Sequence, residues 1–176
     1  NSASARSADG SVSGIAIGDY SNARGLGVAL GQYAQSNDIG SIAVGAATKA
    51  NGFNSLAMMR QAYAGAKYAA AIGTAASAQG EASLAMGHSA LAKGAQSIAI
   101  GSANPTPFED DKHTQYTKYD ESSNTQANTA RAIAIGQGAK VVAGTTRDQK
   151  AFADGVAIGT QAVSEGTQGV AIGNRA

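Results

Sequence analysis

The sequence predicts an all-β fold in which short parallel strands stack into a roll. Three observations predict it: a four-residue phrase that returns ten times, a dominant interval of 14 residues between copies, and glycine closing nearly every copy. The phrase is large aliphatic, alanine, large aliphatic, glycine. It reads Ile15-Ala16-Ile17-Gly18, Val28-Ala29-Leu30-Gly31 and Ile42-Ala43-Val44-Gly45, and it runs on to Val170-Ala171-Ile172-Gly173. Measured at the last residue, the intervals are 13, 14, 14, 14, 14, 14, 35, 23 and 14. A short fixed period means one unit stacked on copies of itself, and stacked units make a surface more readily than a pocket.

A second phrase follows the first in most units: glycine, two residues, small, any, small, any, glycine. It is clear from Gly73 to Gly80 and from Gly87 to Gly94. Both phrases alternate with period two, as strands with two different faces do. The glycines fall where the chain must turn. Each unit therefore reads strand, turn, strand, turn. Successive coils pair in parallel about 4.8 Å apart, so ten coils make a stack about 45 Å long.

The alternation assigns faces. By volume, the large residues of the first strand are expected to fill the interior. Ala16, Ala29, Ala43, Ala57, Ala71, Ala85, Ala99, Ala134, Ala157 and Ala171 are then expected to form an outward stripe suited to close packing against another chain. In the second strand, small residues such as Ala76 and Ala78 face inward. The outward positions there are read as Tyr20 and Asn22, Tyr33 and Gln35, Lys49, Gln61 and Tyr63, Ser77, Leu91 and Gln161.

Composition supports a repeat with a thin core. Hydrophobic residues are 43% of the 176, but 40 of them are alanine. Only 30 are Ile, Leu, Val, Met or Phe, and 19 of those occupy the aliphatic slots of the phrase. Burial of such a side chain contributes on the order of 2 kcal/mol, whereas ordering each backbone residue costs about 1–2 kcal/mol. A further apolar surface is therefore expected to be buried between chains. Net charge is +1 with both signs scattered, so no basic stripe points to nucleic acid. There is no cysteine, hence no thiol or disulfide chemistry. No apolar run reaches 18 residues and no signal peptide opens the chain; a stalk or membrane anchor is expected outside these residues.

The expected organisation is a lead-in over residues 1–11, β-roll repeats over 12–101, an inserted loop over 102–131, and repeats again over 132–176 with a short insertion near 141–154. Met59 takes a glycine slot, so either the turn there is expected to be rebuilt or the unit to be slightly deformed. Insertions in a repeat array map to loops on one face, often a binding face. The longer one carries Phe108, Asp110, Asp111, His113, Tyr116 and Tyr119, which become candidate ligand-contacting residues together with Tyr20, Tyr33 and Tyr63. Tyr20 and Tyr33 hold equivalent positions in adjacent coils and should stack about one strand apart.

Catalysis finds little support. His88 follows a turn glycine and reads as solvated. Asp110, Asp111 and His113 read as a charged loop, so neither a metal nor a cofactor is expected. No Gly-x-Ser-x-Gly elbow joins strand to helix, and no phosphate-binding Gly-x-x-x-x-Gly-Lys occurs. The chain is not expected to be an enzyme.

The phrase Ser-Ile-Ala-Ile-Gly (Ser97 to Gly101) and the second phrase Gly-x-x-Ala-x-Ala-x-Gly resemble the YadA-like head of trimeric autotransporter adhesins. Departures are Met59, Ala70 in a large-residue slot, the 13-residue interval and the two insertions. The resemblance implies a left-handed parallel β-roll of 14-residue repeats and a homotrimer. It implies display at the tip of a stalk on the outer membrane, where such heads act in virulence by binding host matrix proteins (collagen, fibronectin, laminin) or receptors and by autoaggregation. Two rivals fit less well. An ice- or crystal-binding solenoid needs one residue type repeated on an outward face, and these positions vary. A left-handed β-helix acyltransferase repeats every six residues.

Overall fold

In the computed structural model, which describes residues 2–6, 14–106, 118–143, 154–165 and 168–176, the repeated strands form two ten-stranded sheets. The first, here the aliphatic sheet, collects the repeated phrase: Ile15–Ile17, Val28–Leu30, Ile42–Val44, Leu56–Met58, Ala70–Ile72, Leu84–Met86, Ile98–Ile100, Ile133–Ile135, Val156–Ile158 and Val170–Ile172. The second, here the polar sheet, holds Ser4–Arg6, Asn22–Arg24, Gln35–Ser36, Lys49–Ala50, Tyr63–Ala64, Ser77–Ala78, Leu91–Ala92, Gln126–Ala127, Lys140–Val142 and Val163–Glu165. The chain crosses from one sheet to the other at every turn, so a coil is one strand of each. Neighbours pair in parallel and in phase: Ala85 has Ala71 on one side and Ala99 on the other. The chain is thus an all-β parallel roll with 14-residue spacing. The strand at residues 4–6 pairs with Asn22–Arg24, which places part of the lead-in segment within the polar sheet.

The faces are the reverse of the sequence expectation. Ala29, Ala43, Ala57, Ala71, Ala85, Ala99, Ala134 and Ala157 are 0% exposed and lie inside the roll, with Ala16 and Ala171 packed on the same core at its two ends. The eight fully buried alanines have no surface left for another chain. The large aliphatics point outward instead, and Ile17 and Ile172 are 63% and 67% exposed. The reason is the width of the tube. Turns of a few residues hold the sheets so close that a Cβ added at Gly27 would lie 2.0 Å from Ser36 Oγ, and one at Gly155 2.5 Å from Val141 Cγ1. An interior already filled by alanine and serine side chains, with no room for one more methyl at these two points, cannot take a column of isoleucines; close packing is reached with small residues on both sheets. The polar-sheet residues Ala76 and Ala78 do face inward and are fully buried, as expected.

Several serines and threonines serve in this core through hydroxyls that reach turn carbonyls. Ser21 Oγ donates to the Gly18 carbonyl at 2.8 Å, Thr48 Oγ1 to Gly45 at 2.8 Å and Ser83 Oγ to Gly80 at 2.7 Å. A buried hydroxyl with such a partner avoids the desolvation cost of an unpaired one.

The turn after the aliphatic phrase favours its glycine. Gly73 sits at φ +136°, and a Cβ there would lie 2.5 Å from the carbonyl oxygen of Gly87 in the next coil. Met59 occupies the same slot at φ +81°. The turn is not rebuilt around it: Met59 N donates to Val44 O at 2.8 Å and Ala62 N to Met59 O at 3.2 Å, matching Gly73 N to Met58 O and Ala76 N to Gly73 O in the next coil.

The longer insertion leaves the roll at the turn after Gly101. Its described part is an antiparallel ribbon, Asn104–Thr106 with Lys118–Asp120, followed by a 3₁₀ turn over Glu121–Ser123. The shorter insertion lies between Lys140–Val142 and Val156–Ile158, at the other turn column. The two therefore emerge from opposite edges of the roll rather than from one face.

Candidate functional site

Four surfaces follow from this geometry. The outer row of the aliphatic sheet presents two large side chains per strand, Ala70 being the exception. It is about 45 Å long and two side chains wide, so on the order of 500 Å² of contiguous apolar surface, at the upper end of what a lone soluble chain carries. Its central members are half-buried by their own neighbours in the row, and its end members stand free.

The outer row of the polar sheet reads Asn22, Gln35, Lys49, Tyr63, Ser77, Leu91, Gln126, Lys140 and Val163 along the stack. Tyr63 is half-buried, and its ring covers Gly65, whose added Cβ would lie 2.7 Å from Tyr63 Cε1. Near the longer insertion the row becomes an amide chain. Asn124 Nδ2 donates to the Ser89 carbonyl at 3.0 Å, Gln126 Nε2 to Asn124 Oδ1 at 2.5 Å, and Asn128 Nδ2 to Gln126 Oε1 at 3.0 Å.

Of the two edges, the first carries the turns after the aliphatic strands. Tyr20 and Tyr33 lie here, in the turns themselves with φ +57° and +58°, and not on the polar strands where sequence reading put them. They do stack, with ring centroids 5.1 Å apart and planes within 4°, because one coil rise equals a ring stacking distance. Gln61 and Gln161 likewise sit in turns. The second edge carries an apolar strip that sequence reading missed: Leu26, Ile39, Phe53 and Tyr68, from four successive coils. The Phe53 and Tyr68 rings meet edge to face with centroids 5.8 Å apart. The signal was present as a large apolar residue among turn formers, as in Gly25-Leu26-Gly27 and Asp38-Ile39-Gly40.

The base of the longer insertion is tied down by hydrogen bonds. Asn104 N donates to Ser123 Oγ at 2.7 Å, Lys140 Nζ to the Ser122 carbonyl at 2.8 Å and Thr125 Oγ1 to the Gly136 carbonyl at 2.7 Å. A groove of about 330 Å³ lies beside it, lined by Asn104, Ser122, Ser123, Gly138, Lys140, Gln161 and Val163. Phe108, Asp110, Asp111, His113 and Tyr116 fall outside the described residues; Tyr119 pairs through its backbone with Pro105. His88 Nδ1 lies 3.1 Å from Ser89 Oγ.

One ion pair joins adjacent coils beside the shorter insertion: Arg131 meets Asp154 through both nitrogens of one guanidinium side, the Nη2–Oδ2 bond being 3.0 Å. The hydrogen bond from Arg131 holds the Asp154 carboxyl below its ordinary value, and the bond to Asp154 raises Arg131 further. Among the described residues, no group of three or more His, Cys, Asp or Glu is placed to hold a metal, and no helix is long and apolar enough to cross a membrane.

The chain matches a family model described as the YadA head domain repeat (2 copies), over residues 26–48, 64–88, 78–104, 123–139 and 153–176. These segments cover more than half of the chain, and the chain belongs to this family of cell-surface adhesin heads. No curated protein matches it.

Proposed function

We propose that three copies of the chain associate through their aliphatic faces into the head of a trimeric autotransporter, carried by a stalk and an outer-membrane anchor outside these residues. The observation that carries this reading is the uncovered aliphatic row. Ten coils place large apolar side chains on one outer face, and the fully buried interior they leave behind holds nothing larger than Val141. Covering such a face removes from water the apolar surface that the thin core does not. Nineteen large aliphatics therefore act between chains, and the alanine stripe acts within each.

The trimer's role is attachment of the bacterium to host matrix proteins such as collagen, fibronectin or laminin, or to cell receptors, and autoaggregation of cells. It performs no chemistry. Its mechanism is avidity: three copies of a weak site per head, and many heads per cell, attach firmly without a deep pocket. The polar sheet with Tyr63 faces away from the aliphatic interface; it supplies the host contact together with the longer insertion, which carries Phe108, Asp110, Asp111, His113, Tyr116 and Tyr119.

Sedimentation equilibrium tests the assembly. The 17.4 kDa chain should sediment at three times that mass, and Ile98→Lys with Ile100→Lys should dissociate it. A monomeric wild-type chain at micromolar concentration would overturn the reading. Solid-phase binding to matrix proteins, comparing the full chain with one lacking residues 102–131, tests the contact surface; equal binding by two well-folded proteins removes the insertion from it.

A further inference from the structure

The two apolar groups on opposite edges of the roll fit each other. On the first edge stand Tyr20 and Tyr33, about half-exposed, in the turns of the first two coils. On the second edge stand Leu26 (60% exposed) and Ile39 (45%), continued by Phe53 and Tyr68. Along the stack they alternate, since the chain visits the edges in turn: Tyr20, Leu26, Tyr33, Ile39. Further on, the same positions hold small or polar residues. The first edge continues with Ala47, Gln61, Ala75 and Ser89, and the second with Lys67, Glu81, Ala95 and Ala130.

Rotational symmetry decides what can meet what. In a three-fold ring every interface is heterologous, so one edge of a copy faces the opposite edge of the next at the same height. If the aliphatic faces look toward the three-fold axis, the first edge of one roll lies beside the second edge of its neighbour. The two tyrosines then meet Leu26 and Ile39 over the first two coils. We propose that Tyr20 and Tyr33 of one copy interleave with Leu26 and Ile39 of the adjacent copy, forming an apolar seam that closes this end of the trimer. The seam rests on the homotrimer reading and adds to it a second surface, at the edges, with a fixed pairing of residues. It withdraws the stacked tyrosines from host contact. It also gives a role to the overlap of the two apolar groups in the first two coils, which neither the roll interior nor the aliphatic face requires.

The native chain has no cysteine, which makes site-directed cross-linking clean. Tyr33→Cys with Ile39→Cys in one chain places the thiols on opposite edges of a roll, so a link between them must join two copies. Treatment with a short thiol-specific bifunctional reagent should convert the protein to covalent trimers on denaturing gels. Tyr33→Cys with Ala95→Cys, whose second position lies four coils further along, should not cross-link. A protein that sediments as a trimer but yields no covalent species, or yields it equally with the Ala95 variant, overturns the seam and leaves the trimer standing. A wild-type chain that sediments as a monomer overturns the trimer and the seam with it.

Discussion

The interior of the roll predicts its own compensation at Val141 and Gly155. Val141 is the largest fully buried side chain among the described residues, and it takes the position held by Ala127 in the preceding coil. Gly155 takes the position held there by Ala132, since Ile133 pairs with Val156. The coil that gained two methyl groups on the polar strand has given up one on the facing strand. A Cβ at Gly155 would lie 2.5 Å from Val141 Cγ1, about 1–1.5 Å inside the carbon–carbon contact distance of about 3.5–4.0 Å. Gly155 is outside the left-handed region, so Gly155→Ala carries no backbone strain and isolates this overlap. Overpacking of that kind costs about 1–3 kcal/mol. Val141→Ala alone loses two buried methyls, about 2 kcal/mol with its cavity. The double variant recreates the Ala127/Ala132 pair, so Gly155→Ala should be close to neutral or favourable in the Val141→Ala background, a coupling of about 2 kcal/mol. In a chain of this length that is a difference of roughly 4–8 °C in Tm. Thermal unfolding followed by circular dichroism is the assay, at one chain concentration because association makes Tm concentration-dependent. Additive effects of the two substitutions would refute the packing argument, and with it the inward placement of the small residues.

Three further outcomes follow. Ala85→Leu should prevent the roll from forming, because Ala85 is fully buried between Ala71 and Ala99, whereas the Ile98→Lys, Ile100→Lys chain should keep its far-ultraviolet spectrum while losing its association; the sequence-based assignment of faces requires the opposite ranking. Met59→Gly should stabilise by about 1 kcal/mol, read as a denaturation midpoint, since a side chain at φ +81° carries left-handed strain that glycine does not. Asp154→Asn should leave stability nearly unchanged at neutral pH, where a surface ion pair contributes little. Because the folded carboxyl is held below its ordinary value, the pair's contribution is complete above the unfolded value of about 3.9 and is lost as pH falls through the folded one; acid titration of Tm should show a shallower fall in the variant over that window.

Period and punctuation were legible without coordinates. The interval of 14, the in-phase pairing of successive copies and the stacking of Tyr20 on Tyr33 all follow from counting residues, because a parallel stack repeats its neighbours at a constant rise. The faces were not legible by volume. Ser97-Ile98-Ala99-Ile100 alternates cleanly, but alternation shows that serine shares a face with alanine and not which face is inside. One clue was available: the residue before each phrase is small, as at Gly27, Ser41, Ala69 and Ser97. That placed every small residue of a coil on one side. The apolar strip on the second edge was hidden differently, since Leu26, Ile39, Phe53 and Tyr68 stand in segments that read as turns.

By itself the sequence determined the coil: how long it is, where it turns, and that ten of them stack. Those properties are local, set by glycine's access to positive φ and by period-two alternation. Which side of the coil became the core was decided by tertiary structure alone. The separation of the two sheets is a property of the closed tube, and a tube this narrow excludes every side chain much larger than serine or valine. The large residues are therefore left outside, where only another chain can cover them.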